Sequence, residues 1–153
     1  MLIVHEIIKM LHIQIVQVGK TKEKFFQEAE NEFLKRLSRY AKITIDTVAE
    51  KGSDDGKKII KKIRNDSFVI VLDIKGVQHT SEEFASLLGK LAMTGKVTFV
   101  IGGPHGLSED VLERADLKLS FSKMTFTHQM IRLFLLEQIY RGFTILEGKT
   151  YHY

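Results

Sequence analysis

Two near-continuous apolar runs, FVIVLDI at 68–74 and VTFVIG at 97–102, set the strongest limit on what this chain can fold into. A strand with one wet face alternates polar and apolar residues, whereas a run without polar breaks needs cover on both faces. The first run is expected to be central. Between the runs, Thr80 and Glu83 in TSEE form a capping box for a helix whose apolar stripe is Phe84, Leu87, Leu88 and Leu91, ended by Gly95. Strand, helix and strand in succession describe a crossover between parallel strands.

The rest of the chain repeats this alternation. Residues 11–18 alternate as a strand closed by Gly19, and Phe26, Ala29, Phe33, Leu37 and Tyr40 line one face of a helix between Lys22 and Tyr40. Residues 43–48 read as a strand, 55–64 as a short helix, LKLSF at 117–121 as a fifth strand, and Ser108 as the cap of another short helix. A last amphipathic helix is predicted over 127–142 through Met130, Ile131, Phe134, Leu135 and Ile139. The fold class is therefore α/β, a mostly parallel sheet with helices on both faces, whose ligands bind beyond the carboxyl ends of the strands. With 153 residues and no internal repeat, residues 1–153 are read as a single domain.

Composition narrows the chemistry. The absence of cysteine excludes disulfides, thiolate metal sites and cysteine nucleophiles. The formal net charge is +4, and its distribution is uneven: residues 1–64 carry 14 basic and 9 acidic side chains, while residues 65–153 carry 9 and 10. The helix at 57–64 holds Lys57, Lys58, Lys61, Lys62 and Arg64 with no acid; it is either a solvated face or a seat for phosphates. The opening MLIVHEIIKM is broken by His5, Glu6 and Lys9, far short of the about 20 apolar residues a membrane helix needs, and lacks a signal-peptide pattern. A cytoplasmic location without membrane contact is expected, with residues 1–9 a possible N-terminal extension.

Candidate chemistry sits at the strand ends. Gly102, Gly103 and Gly106 in IGGPHG follow a buried strand and let backbone approach a ligand, although a plain turn explains them equally. The spacing is neither the dinucleotide fingerprint nor a phosphate-binding loop, and there is no HExxH or GxSxG. Metal-free transfer chemistry survives this screen better than hydrolysis. In FSKMTFTHQMIR at 121–132, polar donors and aromatic faces meet before a helix on which His128 and Arg132 share a face; a capped helix start with a solvated face is the bland alternative. The terminal YHY is either a frayed end or an aromatic flap over a pocket.

Taken together, IQIVQVGKTKEKF at 13–25, VLDIKG at 71–76, FVIGGPHG at 99–106, LSFSKMTFTHQMIR at 119–132, EQIYRGF at 137–143 and the terminal YH resemble the RlmH family of SPOUT methyltransferases, in order and in register over residues 10–153. The resemblance implies a C-terminal trefoil knot, a homodimer, and S-adenosylmethionine-dependent methylation of N3 of a pseudouridine in 23S rRNA of the assembled ribosome, with no metal. By the same resemblance, Leu72, Gly102, Phe121, Ser122, Lys123, Met124, Thr125 and Phe126 contact the methyl donor. His128, Arg132 and His152 are the implied candidates for catalysis, and Tyr151 for substrate engagement; the uneven charge, read beside the resemblance, makes Lys57, Lys58, Lys61 and Lys62 candidate rRNA contacts. Thr127 stands where the family typically has proline, the loop at 50–57 looks shorter than in many members, and Tyr153 replaces a common basic residue. The competing readings are a SPOUT enzyme for another RNA, a noncatalytic ribosome-binding module and, last, a nicotinamide-dependent oxidoreductase.

Overall fold

The computed structural model describes residues 11–50 and 55–150. The possible extension at 1–9, residues 51–54 of the loop at 50–57, and Tyr151, His152 and Tyr153 lie outside the described residues. In chain order the elements are β1 (His12–Val18), α1 (Lys24–Leu37), β2 (Lys42–Val48), α2 (Asp55–Lys62), β3 (Phe68–Gln78), α3 (Ser81–Ala92), β4 (Lys96–Ile101), α4 (Glu109–Arg114), β5 (Leu117–Ser120) and α5 (His128–Leu146). The five strands form one sheet in the order β2-β1-β4-β3-β5, and every pairing is parallel.

Alternation along each strand sorts its side chains to two faces. Ile13 and Ile15 of β1, Ile70 of β3, and Val97, Phe99 and Ile101 of β4 face one core with Leu37, Leu88, Leu135, Ile139 and Phe143 from α1, α3 and α5. Val16, Val18, Val48, Val69, Val71 and Val100 face the other core, closed by Ile59 and Ile63 from the α2 region and Val111 of α4. This two-sided cover is what the apolar runs require. The middle place belongs to β4, and the 68–74 run is the interior strand next to it, paired with β4 on one side and β5 on the other.

The capping box predicted for α3 is present, whereas Ser108 stands at the N-cap position of α4 without a side-chain cap hydrogen bond. The Thr80 hydroxyl accepts from the Glu83 N–H at 3.0 Å while the Glu83 carboxylate accepts from the Thr80 N–H at 2.9 Å, completing the capping box of α3. Thr127 caps α5, its hydroxyl accepting from the Met130 N–H at 3.3 Å, so the hydroxyl supplies an end signal where the family's proline would fix φ.

One buried polar network fixes α2 on the sheet. Gln14, 3% exposed, donates to the Asp46 carboxylate at 2.8 Å and the Lys62 carbonyl at 2.7 Å. Its carbonyl accepts from Thr98 Oγ1 at 2.9 Å and the Arg64 N–H at 3.3 Å. Every hydrogen-bonding position of the amide is thus used. Gln14→Leu should cost about 1–3 kcal/mol, because it takes this partner from the Lys62 carbonyl and the Arg64 N–H, while the Thr98 hydroxyl keeps Ser67 Oγ at 2.8 Å; chemical denaturation measures it.

Candidate functional site at the carboxyl ends of three strands

The third strand does something its sequence does not announce. Leu72 pairs with Leu119, the chain detours through Asp73–Gly76, and Val77 then pairs with Leu119 again. The apolar run predicts a strand ending at 74; the observed one returns to the ladder and runs to Gln78. Gly76 makes the return possible, since a Cβ there would lie 2.5 Å from the Lys118 carbonyl carbon and oxygen. The detour pushes Asp73 and Ile74 outward at the end of β3.

Beside it, the loop after β4 folds back on itself through an isolated bridge between Gly103 and Gly106. A Cβ on Gly102 would meet Leu107 at 3.0 Å and the Gly106 carbonyl oxygen at 3.1 Å, and one on Gly103 would meet Val18 at 3.0 Å. The glycines therefore let this loop lie flat on the ends of β1 and β4. The third wall is the segment between β5 and α5. Ser120 Oγ donates to the Ser122 carbonyl at 2.9 Å and Ser122 Oγ accepts from the Met124 N–H at 3.0 Å, which curls residues 120–124 into a tight crook.

These three segments enclose a cavity of about 630 Å³, within the range of small-molecule sites. Leu72, Ile101, Leu107, Leu119, Phe121, Met124, Phe126 and Ile131 provide apolar walls, and Asp73, Ser122, Thr125, Thr127, His128 and Gln129 polar ones. Phe126 is held edge-on by Phe134, their ring centroids 5.2 Å apart. A larger open hollow of about 880 Å³ lies at the other end of the sheet, between the end of α1, the start of β2 and Glu147 and Lys149, and contains none of the predicted site residues.

Of the eight residues expected at the methyl donor, the structure brings seven to the cavity: Leu72, Gly102, Phe121, Ser122, Met124, Thr125 and Phe126. Lys123 is exposed and outside the lining, because the 120–124 crook turns it away. His128 lies in the wall; burial, Arg132 and Lys22 lower its proton affinity from the ordinary value of 6.5, with Glu50 opposing them. Arg132 does not line the cavity. It is 2% exposed and donates to the Val18 carbonyl and, at 3.3 Å, to Thr21 Oγ1, while its Nε is buried without a partner. Burial lowers its proton affinity against the opposing carboxylates of Glu30 and Glu50. Sequence reasoning missed Asp73 and Gln129: Asp73 is hidden inside an apolar run, and Gln129 stands beside a histidine whose chemistry is the more obvious.

A family model described as "Predicted SPOUT methyltransferase" matches residues 11–152. The chain belongs to the SPOUT methyltransferase family. Among its relatives, the ribosomal RNA large subunit methyltransferase H of Pelotomaculum thermopropionicum is 47% identical over 94% of this chain and 100% of its own length. The protein of that name from Clostridium botulinum (strain Kyoto / Type A2) is 50% identical over 93% of this chain and 99% of its own. A solved structure, that of a probable methylase family protein from Haemophilus influenzae Rd KW20, superposes with a TM-score of 0.58 over 94% of this chain and 71% of that one, at 13% identity. That last likeness is one of fold. As a SPOUT methyltransferase, this chain needs a place for a methyl donor beside a place for an acceptor. Among the described residues no cluster of His, Asp and Glu is set to hold a metal, and no helix is long and apolar enough to cross a membrane.

Proposed function

We propose that this SPOUT methyltransferase moves a methyl group from S-adenosylmethionine to N3 of a pseudouridine in the 23S rRNA of assembled ribosomes. The observation that carries the reading is the cavity itself, whose walls are the three loops that bear the family motifs, in a chain 47–50% identical to relatives named for large-subunit rRNA methylation.

The site fits the donor. Apolar walls from Leu72, Ile101 and Phe126 suit an adenine ring, the backbone of the glycine loop and of the 120–124 crook can approach the ring edge and ribose, and Asp73 offers an acceptor for a cation. When bound, S-adenosylmethionine supplies an electrophilic methyl group on a sulfonium. The chain must then hold the acceptor nitrogen in line and take its proton. N3 of a uracil ring is acidic roughly on the scale of a tyrosine hydroxyl, so modest basicity suffices. His128, in the cavity wall and with its proton affinity lowered by burial, Arg132 and Lys22, accepts that proton. His152 and Tyr151 are proposed to take part in catalysis and substrate engagement, as the family resemblance implies.

Two partner contacts follow. Ile74 is 48% exposed, Val77 52% and Met124 75%, an apolar rim beside the cavity that supports a homodimer pairing near the site. The α2 lysines Lys57, Lys58, Lys61 and Lys62 support an rRNA contact, since α2 begins against Ser108 at the cavity end of the sheet. Neutralising all four should weaken ribosome binding and flatten its logarithmic salt dependence by up to about 0.9 for each phosphate left without its lysine; a salt titration of binding reads both.

The deciding experiment follows label from S-adenosylmethionine into ribosomes whose 23S rRNA contains or lacks pseudouridine, then maps the modified nucleotide. Label at pseudouridine N3, absent when uridine replaces it, is the expected result. Cofactor binding without transfer would move the search to other RNAs, and no cofactor binding would overturn the enzyme reading.

A further inference from the structure

The β1–α1 loop, Gly19–Glu23, is held with more force than a surface turn needs. Gly19 opens it at φ 76, a conformation most side chains avoid. From α5, Arg132 grips the Val18 carbonyl and Thr21 Oγ1, and the Thr21 hydroxyl donates on to the Glu30 carboxylate at 2.8 Å. Gln129, itself in the cavity wall, accepts from the Lys22 N–H at 2.9 Å and the Glu23 N–H at 3.3 Å. Burying a guanidinium is costly, yet here it serves only to fix a turn. That turn carries Lys20 and Lys22, both exposed and, among the described residues, without an ion-pair partner. Lys22 stands close enough for its charge to act on His128, while Glu23 and Glu50 are the exposed acids of the same region.

We propose that this loop is a phosphate seat for RNA at the mouth of the cavity: Lys22, with Lys20 beside it, holds a backbone phosphate next to the nucleotide that enters, and Arg132, Thr21 and Gln129 are positioning residues. The proposal rests on the RNA reading above. S-adenosylmethionine carries no phosphate, so free cations on a locked loop beside its cavity match the acceptor strand and not the donor. The arrangement also reassigns Arg132, which meets no reacting atom and acts through the loop.

The test is a salt titration of 70S ribosome binding and of methyl transfer with Lys22→Met, Lys22→Arg and Thr21→Val. Lys22→Met should bind about fivefold more weakly at 0.15 M salt, with the logarithmic slope reduced by about 0.7–0.9. KM for the ribosome should rise with it, with cofactor affinity unchanged, and Lys22→Arg should restore the slope. Thr21→Val, which removes no charge, should raise KM while folding normally by circular dichroism. Wild-type slope, affinity and KM in Lys22→Met would overturn the seat, and an unchanged KM in a folded Thr21→Val would overturn the positioning role. The same titration with a single-stranded oligoribonucleotide separates the two readings. A Lys22 effect there without any ribosome binding by the wild type supports the seat and removes the ribosomal substrate; no effect with either RNA overturns the seat.

Discussion

His128→Gln should lower the rate of methyl transfer by about 10²–10⁴-fold, the usual contribution of a positioned proton acceptor, while S-adenosylmethionine affinity changes only a few-fold. The imidazole lies in the cavity wall, whereas the nearby Arg132 side chain is a protonated guanidinium that donates to the Val18 carbonyl and Thr21 and has no site to take a proton. The pH profile carries the same signature. Burial, Arg132 and Lys22 hold the His128 proton affinity below its ordinary value of 6.5, against Glu50, so the acid limb of the rate should lie below that pH. Lys22→Met removes one of the opposing positive charges and should move the limb upward. Folding stability follows with a definite sign. A histidine whose folded value is depressed binds its proton more readily in the unfolded chain, so stability is full above 6.5 and declines as pH falls toward the folded value. The decline should be shallower in His128→Gln. A variant with full transfer activity would hand the proton to another acceptor, with His152 the first to test.

Gly76→Val should be the most damaging single change outside the cores. Its Cβ would fall 2.5 Å from the Lys118 carbonyl carbon and oxygen and 2.8 Å from the Leu119 nitrogen, all backbone atoms of β5 that cannot step aside without breaking the ladder. Overpacking of this kind costs about 3 kcal/mol, the upper part of the usual range, which in a chain of this size lowers Tm by about 6–12 °C. Because the detour at 73–76 places Leu72, Asp73 and Ile74 in the cavity, ligand affinity should fall with stability. Thermal unfolding with and without S-adenosylmethionine measures both losses. Gly148→Asn is the control. Gly148 has φ 70 and nothing within 4 Å of its would-be Cβ, so only the modest strain of that backbone conformation is at stake.

The alternation of apolar runs and amphipathic stretches determined the α/β class and the parallel sheet, because a strand with no polar break is stable only when covered on both faces, as β4 is by Phe99 on one side and Val100 on the other. Caps were legible for the same local reason: Thr80 and Glu83 need only each other and one helical turn. The motifs from 99 to 132 also marked the cavity loops, since glycine and the serine crook act over a few residues. Tertiary structure alone decided the rest. Arg132 and Val18 are 114 positions apart, and no periodicity says that a cation on a helix face will be spent on a distant carbonyl. Lys123 turned outward and Gln129 inward because of hydrogen bonds within the crook and across to Lys22. Sequence patterns report whether a side chain is buried and at what period; which partner buries it is settled only when segments far apart along the chain are packed together.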